Sequence, residues 1–501
     1  MKIKKIIIIP ICFLMLFWAD DVSGQYSTYH LTFPEHTSSE VRMAVFHAPY
    51  SALLNYRDSA THRQAFLLVK KQLSNTYAHS YKYLSTPFMS GGVDYTVEDM
   101  KIVGNTCYIC GKVYIYGGSI EPPDIPVDPY FPVGMRTITN YYEHGYFALL
   151  NLDGIDGPYA LSSFIHYRFK ILFNTKELTK LVVHTCEPGH DTIIGLIGKT
   201  EGSTPKPCLV TAKINGALVD PLIHEFDSPN ETFSDIALVG KALVTTSRFS
   251  SENYTFGLRI APHDDIFRFG DISQFESLHK VNALECSPNT WHRHDANIYI
   301  AEDPTTDMAT IAYESRCISD SDTNNYFPHI SLFQVKCVAA YPSYFTFYKS
   351  YTSSTLPSPQ ESLKGIKHLS SIYINKVACL LSIPSHNLYK GLIRLFGWST
   401  ATQPAFYTPQ EYLTDIDVSS GNCIWTVGTN PSDKAIHQYY HDLSVDELCY
   451  DPSPGNYRLL CEKISADISK TDKTDIIEIL LWTTEGHMEC TSVKPIVRCI
   501  H

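Results

Sequence analysis

Asp99-Met100-Lys101-Ile102-Val103 runs through Gly104-Asn105 into Cys107-Tyr108-Ile109-Cys110-Gly111-Lys112-Val113. Apolar and polar residues alternate on both sides of a two-residue turn, which is the signature of a β-hairpin. After a polar insertion a third strand resumes at Gly145-Tyr146-Phe147-Ala148-Leu149-Leu150. The phrase returns at Asp235-Ile236-Ala237-Leu238-Val239, turns at Gly240-Lys241 into Ala242-Leu243-Val244-Thr245-Thr246, and closes with Tyr254 to Ile260. Further copies begin at Met308 and Ile366, and weaker ones at Leu413, Leu181, Tyr457 and Val41. Starts near residues 42, 99, 180, 235, 307, 367, 415 and 458 suit propeller blades of about 40 to 50 residues lengthened by insertions. One hairpin buries little surface, so copies must stack, and closing the stack on itself removes exposed sheet edges. The expected fold is all-β, a β-propeller of about seven degenerate blades; tandem β-sandwiches are the alternative. Helical periodicity is scarce, with short candidates at Thr61 to Leu73 and Ser444 to Leu448.

The chain opens with Lys2, Lys4 and Lys5, an apolar run from Ile6 to Trp18, and small residues up to Gly24. A basic head, a short apolar run and a small-residue cleavage region describe a secretory signal peptide. The run is shorter than the about 20 residues that span a bilayer, and no later run reaches that length, so no transmembrane segment is expected in the mature chain. The expected organisation is a signal peptide over 1–24 and one propeller-like repeat domain over 25–501, in the periplasm, on the cell surface or outside the cell. The formal charge of −12 disfavours phosphate backbones, so nucleic acid is not an expected partner.

The chain has fourteen cysteines, of which Cys12 lies in the leader, leaving an odd number. Export permits disulfides, and Cys449, Cys461, Cys490 and Cys499 are the densest group. The scattered ones, such as Cys379, read as small buried hydrophobes. Cys107 and Cys110 form a C-x-x-C without a second pair. On a strand those positions face opposite sides, which argues against a metal or redox pair.

The phrases at Asp99 and Asp235 resemble those of uncharacterised exported β-propeller-like proteins of gut Bacteroidota. There a hairpin close to D-M-x-I-x-x-x-x-Y-x-C-G is followed by G-x-F/Y-x-x-F/L. Asp99, Met100, Ile102, Tyr108, Cys110, Gly111, Gly145, Tyr146 and Phe147 carry the likeness, which extends over the repeat cores and departs at Thr246 and Leu381. It implies fold and export, and no activity.

No phosphate loop, nucleophile elbow, H-E-x-x-H or EF-hand spacing occurs, so no catalytic residue is assigned. No metal site and no cofactor are assigned either. Trp291-His292-Arg293-His294-Asp295 lacks a third ligand, and Asp153-Gly154-Ile155-Asp156-Gly157 reads as a turn. Asn230-Glu231-Thr232 and Asn253-Tyr254-Thr255 match the glycosylation pattern, which matters in a eukaryotic source. The proline-stiffened loop Glu121 to Pro132 carries Tyr130 and Phe131, which can stack on a sugar ring or anchor a protein partner. Tyr341 to Tyr348 alternates and reads as a strand. The function expected is a binding or scaffold module for a protein or glycan ligand. The alternative is a glycan hydrolase or lyase with acids drawn from different blades.

Overall fold

The computed structural model describes strands between Ser27 and Val493 and, for side chains, chiefly residues within 96–113, 143–149, 171–184, 192–214, 221–250, 255–281, 297–314 and 330–337. Residues 1–24 and the Asp153–Gly157 turn lie outside the described residues, as do His294, Asp295, Asn253, Cys461 and Cys499.

The described strands form eight antiparallel units of four or five strands, beside one two-stranded pair, Gly118–Ser119 with Thr137–Ile138. The second blade is Val93–Val103, Thr106–Ile115, Tyr142–Asn151 and Tyr167–Leu172, innermost strand first. The third is Thr175–Thr185, Thr192–Thr200, Pro207–Asn215 and Leu222–Glu225, with Ala217–Leu218 also on its third strand. The fourth is Glu231–Val239, Ala242–Phe249, Thr255–Pro262 and His279–Asn282. The first strands of the first seven blades lie side by side in succession, and that of the eighth, Asp467–Ser469, returns to that of the first, Met43–His47. The ring is a β-propeller. Its eighth blade joins the first and last described strands, because Ser27–Thr32 pairs with His487–Val493.

The blade number is therefore eight among the described residues, where the repeat phrase suggested about seven. In the fifth unit Thr290–Arg293 and Ile298–Asp303 both precede the phrase at Met308 and both pair with Met308–Ser319, so that phrase begins an interior strand of its blade. Both expected helices are strands, Gln64–Lys71 and Asp446–Tyr450. Pairing with neighbours on both sides decides the conformation of Gln64–Lys71, and such tertiary context overrides weak local propensity. Tyr341–Thr352 is the strand its alternation predicts.

Period-two alternation sends each strand's residues to the two neighbouring blades. Tyr108, Cys110, Phe147 and Leu149 of the second blade pack against Leu178, Leu181, Ile194, Leu196, Cys208 and Val210 of the third. The opposite face of the third blade presents Val182, Ile193, Ile197 and Leu209 to Ile236, Leu243, Ala261 and Phe267 of the fourth. The core is thus a series of inter-blade layers. Cys110 lies in one layer while Cys107, also buried, points to the other face of its strand, as the spacing predicts. Cys107, Cys110, Cys208 and Cys337 are buried free thiols. Burial pushes all four up, Cys208 to about 12 and Cys337 to about 11, so they stay protonated and serve as small apolar groups.

A β-bulge recurs in the innermost strands. The register slips between Val97 and Asp99, Leu178 and Lys180, Phe233 and Asp235, Leu363 and Gly365, and Leu413 and Asp415. Opposite the bulge stands glycine in three described blades, at Gly111, Gly198 and Gly428. A Cβ on Gly111 would collide with the Thr96 carbonyl oxygen, and one on Gly198 with that of Glu177. This close approach explains the Cys-Gly of the phrase.

Candidate functional site

An innermost strand has a partner on one side only, so part of its backbone N–H row faces the axis unpaired. The residues after the bulges meet that need. Asp99 Oδ2 accepts the Leu181 N–H of the next blade at 2.9 Å. Asp235 accepts its own Ile236 N–H on Oδ1 and the Ile300 N–H of the fifth blade on Oδ2, both at 3.0 Å. In return Glu302 Oε1 accepts the Leu238 N–H at 3.1 Å. The fifth blade reaches the sixth differently, with Asn297 Nδ2 and Tyr299 Oη donating to the Leu363 carbonyl at 3.4 Å. The aspartate that opens the repeated phrase is a brace between blades.

Lys180 occupies the corresponding position of the third blade, with Nζ 4.0 Å from Asp99 Oδ1. The Asp99 carboxylate holds its ammonium well above the ordinary lysine range against the opposing effect of burial. Burial pushes the Asp235 carboxyl up, and Lys180 and two backbone donors oppose it only in part. Burial likewise raises the Tyr299 phenol to about 12. Asp99, Lys180, Asp235 and Tyr299 thus make a coupled polar belt on consecutive innermost strands.

A second constellation sits where the third and fourth blades meet. The fourth blade leaves its third strand at Pro262 and enters a five-residue helix, His263–Phe267, before returning at His279. Pro262 precedes the first turn, where its missing N–H costs nothing, and Asp264 and Asp265 complement the helix start. The His263 N–H donates to the Lys241 carbonyl at 3.0 Å, and Ile266 and Phe267 insert into the inter-blade layer. The far end of the excursion is held by Arg259. Its Nε and Nη2 reach Glu231 Oε1 and Oε2 at 3.1 and 2.6 Å, and Nη1 donates to the Phe275 and Glu276 carbonyls. Ser247 Oγ donates to Glu231 at 2.8 Å, and the Phe226 ring lies 4.6 Å from the guanidinium carbon. Both charges are buried, at 2% exposure for Glu231 and 3% for Arg259, and this bidentate pairing is what makes their burial tolerable.

His184 shares the strand face of Val182 and so faces the fourth blade beside that helix. Its ring centroid is 4.2 Å from that of His263, with the planes tilted by 42°. One ligand atom each from His184, His263 and Asp264 lie within 4.8 Å of one another, a trio of side chains that could hold a metal ion. His263 Nδ1 is 3.0 Å from Asp264 Oδ1, and Arg268 Nε is 3.2 Å from the same oxygen. Burial lowers the pKa of both imidazoles; His263 lowers that of His184 further, and Asp264 opposes the fall in both.

The sequence reading missed this trio. His184 closes an ordinary apolar strand, His263 and Asp264 follow in another blade, and no linear spacing connects them. The only local signal is Pro262 followed by His-Asp-Asp. Tyr130 and Phe131, the ligand-contacting candidates, lie outside the described residues. Trp291 and His292 lie on the strand Thr290–Arg293. No helix among the described residues is long and apolar enough to cross a membrane.

No protein-family model and no curated protein matches the chain. Solved structures resemble it weakly. The polysaccharide lyase Uly1 aligns at 9% identity over 93% of this chain and 91% of its own, with a TM-score of 0.40. The WD40 domain of SCAP from fission yeast aligns at 9% over 93% and 87%, with a TM-score of 0.39. The Trypanosoma rangeli sialidase in complex with the inhibitor DANA aligns at 7% over 92% and 82%, with a TM-score of 0.32. Likenesses this distant decide nothing about chemistry, and the propeller architecture rests on the chain's own sheets and their ring of first strands.

Proposed function

We propose that the protein is a binding propeller, exported by its first 24 residues in the manner of the gut Bacteroidota proteins its repeat resembles, which presents inter-blade loops to a protein or glycan ligand. The observation that carries the reading is the use of the axial carboxylates. A glycosidase needs two acids whose oxygens face the sugar. Both oxygens of Asp235 accept backbone N–H groups, and Asp99 joins the second blade to the third while facing Lys180. These groups hold the ring rigid, and a rigid ring lowers the ordering cost of binding through its loops. The loop that carries Tyr130 and Phe131 is the contact surface in this reading, because aromatic rings offer large rigid faces to sugars and side chains.

The test is a glycan array with the purified chain, followed by product analysis on every glycan that binds. Retention of intact glycan, weakened by the double substitution Tyr130→Ala and Phe131→Ala, is the expected result. Shortened or unsaturated products would overturn the reading in favour of a hydrolase or lyase.

A further inference from the structure

The trio at the junction of the third and fourth blades has features that ordinary packing does not explain. His263 is 7% exposed, so its imidazole is effectively interior. Its Nδ1 and Asp264 Oδ1 are buried atoms that make no hydrogen bond among the described residues. They are 3.0 Å apart, and Arg268 Nε lies 3.2 Å from the same Asp264 oxygen, so that carboxylate oxygen has ion-pair contacts while His263 Nδ1 faces only that oxygen. Buried polar atoms are normally satisfied, and each one left over calls for a partner. His184 adds a third donor from a different blade, on the same face as the buried Val182.

We propose that His184, His263 and Asp264 bind a divalent transition metal ion of the zinc class, clamping the 263–278 excursion of the fourth blade to the innermost strand of the third. Two imidazole nitrogens and one carboxylate oxygen are the donor set that zinc accepts. Ligands about 2 Å from zinc at tetrahedral angles stand roughly 3.3 Å from one another, so donors within 4.8 Å need only rotamer adjustment to converge. Three protein ligands leave a fourth position for water. Arg268 and Lys241 are the neighbouring cations. Arg268 is about half exposed and can swing from Asp264 as the metal takes that oxygen. The anchoring of the far end of the excursion by Arg259 pre-positions His263, which reduces the ordering cost of binding. The inference is independent of the ligand-binding reading, because it concerns how one blade is tied to the next.

The experiment is titration of the full mature chain with Zn²⁺ by calorimetry after chelator treatment, with thermal melts of each state. His184→Ala and His263→Ala are compared with His224→Ala, a histidine of the same blade pair outside the trio. Removal of even an outer-shell partner of a bound metal weakens affinity about tenfold or more. H184A and H263A should therefore each abolish the same single equivalent and the Zn²⁺-dependent rise in melting temperature, while H224A retains both. Melts in chelator separate folding from binding, since a folded H184A melts cooperatively without metal. Should H263A disrupt the helix, His263→Gln, which keeps the bulk, serves in its place. Equal stoichiometry and equal thermal shift in wild type and H184A would overturn the proposal.

Discussion

Gly111 and Gly198 show how one backbone approach governs a position. The bulge pushes a carbonyl toward the neighbouring strand, and only a residue without Cβ leaves room for it. Gly111→Ala should destabilise the protein by about 2–3 kcal/mol, as overpacking does, and equilibrium denaturation would register it as a lower midpoint at unchanged slope. The aspartate after the bulge is a separate case. Asp235→Ala strands the N–H groups of Ile236 and Ile300, at a cost of about 1–3 kcal/mol. Glu177 offers a pH handle. Burial pushes its carboxyl up, but Lys112 at 3.0 Å and Lys199 at 3.3 Å more than offset this, and it titrates below the ordinary glutamate value. A depressed folded pKa adds stability at neutral pH that disappears as the medium is acidified through that pKa. Glu177→Gln should accordingly lower the melting temperature at neutral pH and flatten its decline toward acid. A parallel pair of melting curves for wild type and E177Q would contradict this.

At the scale of the element, the hairpins were legible because their information is local. Gly104-Asn105 and Gly240-Lys241 between apolar strands announce a turn within a dozen residues. The phrase at Met308 misplaced its blade because Ile298–Asp303 is short and pairs without a bulge, so it carries no residue equivalent to Asp99, Asp235 or Asp415. The helix His263–Phe267 was illegible for a related reason. Five residues carry less than two turns of periodicity, and the element exists because Ile266 and Phe267 fill a layer made by another blade. The metal trio was beyond reach altogether, since its members come together only after two blades have packed. The excursion that carries it hangs on Arg259 and Glu231. Arg259→Met leaves Glu231 as a lone buried charge, and a loss of about 3–5 kcal/mol in chemical denaturation is expected. Hydrogen exchange at Phe275 to Ser277 should quicken in the same variant, because the carbonyls it held are released.

For the whole molecule, the pairing of Ser27–Thr32 with His487–Val493 brings Ser27 opposite Ser492, so the first and last of the described strands are immediate neighbours. A covalent bridge of a few residues could join these two points. New termini could then be opened between the first and second blades, after Ser85 and before Val93. A circular permutant of that design keeps every inter-blade layer and supplies the eighth blade from one continuous segment. It should fold, and a melting temperature close to that of the parent chain is the expected reading.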